Sequence, residues 1–248
     1  MNTPAEQIHN SLAVVARFTE ARQGNAPLTA ANRAIKRFQA QRFQATYPDL
    51  LESARYQTAA NFFLVELYGD KDYSERDQQF ARIASTIAKL FPQSVVNTAA
   101  ALANVHALTE RLDDAMARSY LALQATDHGQ TDARLYIACW RQVADLASRQ
   151  EQLQVVLALG QSLDSLTRKP GLRTLLKMMR GPAAASGLGS LQKFLESGFD
   201  AFQTMRGADK FLQLIAEREM DWIERLFKED AVACETNLTG LLAGKPTI

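Results

Sequence analysis

Cysteine is scarce in this 248-residue chain: it occurs only as Cys139 and Cys234, without CxxC spacing, which argues against a disulfide framework and against a cysteine zinc site. Buried free thiols are expected instead. An excess of either charge is also missing. The 28 basic residues nearly cancel the 27 acidic ones, so the molecule lacks the positive field of a non-specific nucleic-acid binder, and no nucleic-acid partner is expected. No uncharged apolar run approaches the ~18 residues needed to span a bilayer. The amino-terminal stretch contains Glu6 and Glu20 and has no apolar block resembling a signal peptide. A cytoplasmic protein without a membrane span is the expectation.

Alternating strand patterns are missing as well, whereas apolar residues recur at three- and four-residue intervals almost throughout. With 47% hydrophobic residues, such a chain can build a packed core. Helices are expected near 3–23, 28–46, 48–68, 74–91, 93–126, 131–149, 151–168, 170–180, 183–205 and 208–228. Gly24, Pro27 and the Tyr47-Pro48 and Phe91-Pro92 pairs supply stops, while Thr29, Ser74, Thr131, Pro170 and Pro182 fit helix starts. The expected fold is all-α, a compact multi-helix bundle or array of about eight to ten helices with no sheet. One domain over 1–229 is expected, followed by a frayed tail over 230–248.

The most distinctive passage is NFFLVELYGDKDYSERD, from Asn61 to Asp77. Phe62, Phe63 and Leu67 bring large apolar area, Gly69 closes a helix, and Ser74 with Asp77 has capping-box spacing. With Phe62, Phe63, Leu64, Glu66, Leu67, Tyr68 and Gly69, the passage resembles the FFL-x-ELYG signature of an uncharacterised bacterial all-helical family. The stretches 106–116 and 175–202 are similar to that family too, so the resemblance covers roughly 55–227. It implies a helical fold and brings no activity, substrate or cofactor with it.

Candidate chemistry is sparse. Glu66, beside Tyr68, is either a carboxylate poised for acid–base work or the partner of an arginine at a tight helical corner. His106 and Glu110 are four apart on one helix face, with Asp113 extending it, a stripe that could offer a nitrogen and two oxygens. Di-iron bundles need paired Glu-x-x-His elements, and this chain has no such pair, so no metal and no cofactor are expected. His9 and His128 read as terminal and loop residues, and no nucleophile elbow or catalytic cysteine signature is present. The run 180–190, RGPAAASGLGS, lacks the phosphate-loop spacing; its Gly187 and Gly189 suit close helix–helix approach.

Charge is unevenly distributed. Between Asp164 and Glu196 lie Arg168, Lys169, Arg173, Lys177, Arg180 and Lys193 with no acidic residue, and Arg173, Lys177 and Arg180 share one helical face. A second acid-free window, Ala21 to Pro48, holds Arg22, Arg33, Lys36, Arg37 and Arg42. Residues 217–235 carry seven acidic side chains against three basic ones, so internal pairing competes with contact to an anionic ligand or protein partner. The small-residue surface of Ala99, Ala100, Ala101 and Ala103 would permit a homo-oligomer contact.

With no convergent catalytic group, the sequence favours a non-catalytic helical interaction or scaffold protein. The alternative is a helical-bundle enzyme or a binder of a small ligand or anion, with its site near Glu66/Tyr68 or His106/Glu110. Charge reversal at Lys177 and Arg180 separates the two uses of the basic face. Pairing within the chain predicts a lower melting temperature with all interactions kept, and an external contact predicts lost binding at unchanged helicity.

Overall fold

In the computed structural model the described residues are 2–66, 68–69, 71–126 and 130–244. Leu67 of the signature, His128 and residues 245–248 lie outside them. The described residues form helices and no strand. In chain order these are α1 (Pro4–Gln23), α2 (Ala26–Thr46), α3 (Pro48–Glu52), α4 (Gln57–Glu66), α5 (Ser74–Leu90), α6 (Gln93–Thr126) and α7 (Asp132–Val143). There follow α8 (Leu146–Thr167), α9 (Leu172–Met178), α10 (Arg180–Ala185), α11 (Gly189–Met205), α12 (Asp209–Lys228) and α13 (Ala231–Leu242).

The all-α expectation holds, with more helices than expected. The stretch 48–68 divides because Ser53 is extended and its carbonyl takes the amides of Tyr56 and Gln57, starting a new turn. The region 170–205 holds three helices: Gly171, left-handed with φ of 79°, sets α9 off from α8, α9 gives way to α10 at Met179, and Gly187, left-handed with φ of 63°, separates α10 from α11. Neither Gly187 nor Gly189 serves close helix packing: a Cβ at Gly189 would meet nothing within 4 Å. That role falls to Gly160, where a Cβ would lie 2.6 Å from Leu212 Cδ2, and to Gly198, 3.1 Å from the Phe62 ring.

Caps fix several starts. Thr3 and Glu6 form a reciprocal capping box, and Asn25, rather than the expected Thr29, receives the amide of Leu28 at 3.0 Å. Thr131 caps α7 as expected, accepting from Arg134 N at 3.1 Å. The Ser74–Asp77 box does not form. Asp72 accepts the Ser74 amide at 2.9 Å, which leaves Asp77 for other work.

The long α6 packs against α1, α2, α7 and α8, and α12 lies across α8 and α7. Tyr47, Tyr136, Phe202 and Phe211 are among the largest side chains wholly withdrawn from solvent. Ala100 and Ala103 are buried in a cluster with Ile8, Leu12 and Phe80, so this small-residue stripe serves packing within the chain. The frayed tail expected from 230 is corrected over most of its length. Asp230 caps α13 through the amides of Val232 and Ala233, and Cys234 and Leu238 are completely buried in the main core against α2 and α7. The polar residues between them conceal one short apolar stripe.

If α13 completes the core, Leu238→Ala should cost about 2–5 kcal/mol in urea unfolding. At roughly 2–4 °C per kcal/mol for a chain of this size, that is a Tm lower by roughly 4–20 °C. An unchanged midpoint would make α13 an appendage.

Candidate functional site

Charged residues stand in register with the apolar stripes of the helices that build the core. On α2, Lys36 and Arg42 accompany Ile35 and Phe43; on α6, Glu110 and Asp113 continue from Ala103 and Ala107. On α8, Arg149 precedes Leu153 and Leu157 by whole turns; on α12, Glu219 lies between Ile215 and Ile223. An inward stripe cannot send these heads to water. They gather around a cavity of about 160 Å³, with Glu66, Tyr68, Arg76, Asp77, His106, Tyr136 and Trp140 also in its wall.

Most of the charges are matched. Glu110, 4% exposed, accepts from Lys36 Nζ at 2.5 Å and from Arg22 Nη2 at 2.6 Å. Burial alone would raise its pKa, but the Lys36 charge and hydrogen bond, with Arg22 behind them, hold it down to about 2. Asp113 accepts from Gln39 at 3.1 Å, and its other oxygen is 3.9 Å from Lys36. There burial wins, and the pKa is raised. Arg42 makes two bonds to Glu219, at 3.1 and 2.7 Å, and the Tyr47 hydroxyl donates to the same carboxylate at 2.9 Å. Toward α5, Arg76 donates to Glu66 at 3.0 Å and to Asp77 at 3.3 Å, and its guanidinium lies between the rings of Tyr73 and Phe194. His106 Nε2 is 2.8 Å from Asp77 Oδ2.

Arg149 differs from the other cavity cations. It is 3% exposed and stacks on Trp140 at 3.8 Å; Nη1 donates to Gln152 at 3.1 Å and Nη2 to the Met116 sulfur at 3.5 Å. No ion pair joins it to a carboxylate among the described residues. Burial lowers its pKa, and Tyr136 and Asp113, neither of them bonded to it, act the other way.

The structure therefore brings Glu66, Tyr68, His106 and Glu110 to one cavity. His106 and Glu110 do not act as a pair: Asp77 takes the first, and Lys36 with Arg22 the second. Among the described residues no group of three His, Cys, Asp or Glu is placed to hold a metal ion. A second recess, of about 180 Å³, shares Lys36, Tyr73, Asp77, His106 and Glu110 with the first. The basic face lies elsewhere. Arg173 bonds Asp200 at 2.8 Å and stands 3.7 Å from Glu196, and Arg180 bonds Glu196 at 2.7 Å, while Lys177 is exposed. The acids that pair with Arg173 and Arg180 are on α11, not in the 217–235 segment, because α9 and α10 fold back on α11. Sequence reading missed Arg42, Arg149 and Glu219 as site residues; their position within apolar stripes was the available signal.

A family model described as Domain of unknown function (DUF8198) matches residues 19–233. No curated protein and no solved structure matches the chain. No helix among the described residues is long and apolar enough to cross a membrane.

Glu110 links the fold to pH. Its pKa in the folded chain, about 2, lies below the ordinary 4.5, so its stabilising contribution is complete above pH 4.5 and is lost as pH falls toward 2. Asp113, with its raised pKa, has the opposite sign and favours the folded state on acidification. Glu110→Gln, which strands Lys36 and Arg22, should cost about 3–5 kcal/mol at neutral pH. The deficit should shrink as urea unfolding is repeated from pH 5 down to pH 3. A deficit independent of pH would remove Glu110 from this role.

Proposed function

For this chain, which belongs to the DUF8198 family, we propose the binding of a small polar organic molecule in the interior cavity. The observation that carries the reading is the convergence of Lys36, Arg42, Glu110, Asp113, Arg149 and Glu219 from α2, α6, α8 and α12 on one cavity. Burying ions costs several kcal/mol each, and well-packed apolar replacements are commonly as stable or more so. In a scaffold that outlay serves helix register alone, whereas a binding site also gains oriented donors and acceptors in a water-poor setting. At about 160 Å³ the cavity is close in size to engineered cavities of about 150 Å³ that take up benzene, so the ligand is small.

The interaction-module reading favoured by the sequence rested on the lack of convergent groups, and this cavity supplies convergence. The His106–Asp77 pair adds a chemical option. A carboxylate 2.8 Å from Nε2 fixes the orientation of the ring, as acid–base catalysis requires. Acid–base turnover of the bound molecule is the second reading.

A thermal-shift screen of small polar metabolites tests the binding. A true ligand at about 100 times its Kd stabilises the fold by about 2.7 kcal/mol, or roughly 5–10 °C. Ala103→Leu, which intrudes on the cavity from α6, should cancel the shift while leaving the protein folded. Hits that bind this variant as well as the wild type, or no hits at all, would count against the cavity as the site.

A further inference from the structure

We infer that the molecule bound in this cavity is a small monocarboxylate, gripped by Arg149 with the Tyr136 hydroxyl as second donor. The inference rests on the cavity being a ligand site and adds the chemical class of the ligand. Lys36, Arg42 and Arg76 each have a carboxylate within ion-pair distance, and Arg149 has none among the described residues. Its neighbours are an amide oxygen, a thioether and an indole face, all uncharged. An arginine so deeply buried remains charged, because its ordinary pKa is too high for burial to neutralise it at neutral pH.

The unsatisfied polar atoms point the same way. Four buried atoms on residues of the cavity wall have no hydrogen-bond partner among the described residues: Arg149 Nε, Tyr136 Oη, Trp140 Nε1 and Arg42 Nε. All four can donate. Burial raises the Tyr136 pKa, so its hydroxyl keeps its proton at neutral pH. What complements this set is an acceptor bearing negative charge.

A guanidinium without an ion-paired carboxylate, with Asp113 acting on it only through space, calls for one negative charge, while Asp113, Glu110 and Glu219 in the same wall repel a second. The planar arginine fork fits a carboxylate. Phe43, Phe63, Leu153, Ile215 and Ile223 in the remaining wall suit an apolar body rather than a bare inorganic ion.

Acetate, propionate and benzoate serve as probes, with benzamide as the neutral counterpart of benzoate and inorganic phosphate as the competing anion. Tm shifts and calorimetric titration are read on the full chain. At least one carboxylate should raise the Tm, with benzamide at least tenfold weaker than benzoate and phosphate inactive at the same concentration. R149M should lose at least tenfold in carboxylate affinity while being as stable as the wild type or more so, since it removes an unpaired buried charge. Should R149M fail to fold, R149K carries the test: it keeps the charge, loses the fork, and should also weaken binding about tenfold. Tyr136→Phe should weaken binding severalfold at unchanged stability. Undiminished carboxylate binding in the folded Arg149 variant, or phosphate outperforming the carboxylates, overturns the inference. If neutral compounds from the metabolite screen bind the cavity and no carboxylate does, the inference falls and the cavity reading stands. If nothing binds, both fall.

Discussion

A charge withdrawn from water must find an opposite charge or a dense set of hydrogen bonds, and the core of this protein is arranged around that requirement. Lys36, Arg42, Glu110, Asp113 and Glu219 are all buried. Each obliges a distant helix to come within bonding reach. Glu110 ties α6 to α1 and α2, Glu219 ties α12 to α2, and Arg76 and Asp77 join α4, α5 and α6. Apolar packing supplies most of the free energy of folding, but it is tolerant of register. The directed bonds between Arg42, Glu219 and Tyr47 are not, and they fix how α2 and α12 face each other.

Much of the helical order was legible because helix period, proline stops and polar caps act locally. α6 spans 93–126, the range that apolar spacing alone indicates, and α1, α2 and α5 differ from expectation by a residue or two at their ends. The misreadings were of long-range origin. Whether 230–242 frays or docks depends on what Leu238 can reach, and no local pattern reports that. Glycine roles were exchanged for the same reason. Gly160 and Gly198 sit where another helix presses close, whereas Gly187 serves the left-handed turn of its own backbone.

The site was half legible. Glu66, Tyr68, His106 and Glu110 stood out as unusual residues, and all four reached the cavity, but their partners were hidden by separations of up to 88 positions. Arg76 shows the difficulty. It lies ten residues from Glu66, near enough to suspect, yet the Ser74–Asp77 spacing suggested a cap and drew attention from the Arg76–Glu66 and Asp77–His106 contacts. Arg149 had no distinguishing neighbour in sequence. Its placement one turn before Leu153, in the inward row of α8, was the whole signal.

The stacking of Arg149 on Trp140 has an optical side. Of the two tryptophans in the chain, Trp140 stands in the cavity wall with a guanidinium 3.8 Å above its ring, while Trp222 lies outside that wall. Indole emission responds to the local field, and a fixed positive charge over the ring biases its excited state. Any event that shifts or neutralises that charge changes the colour and yield of one of the chain's two tryptophan emitters. The core thus contains its own fluorescent reporter, placed where the binding proposed above would alter the electrostatics.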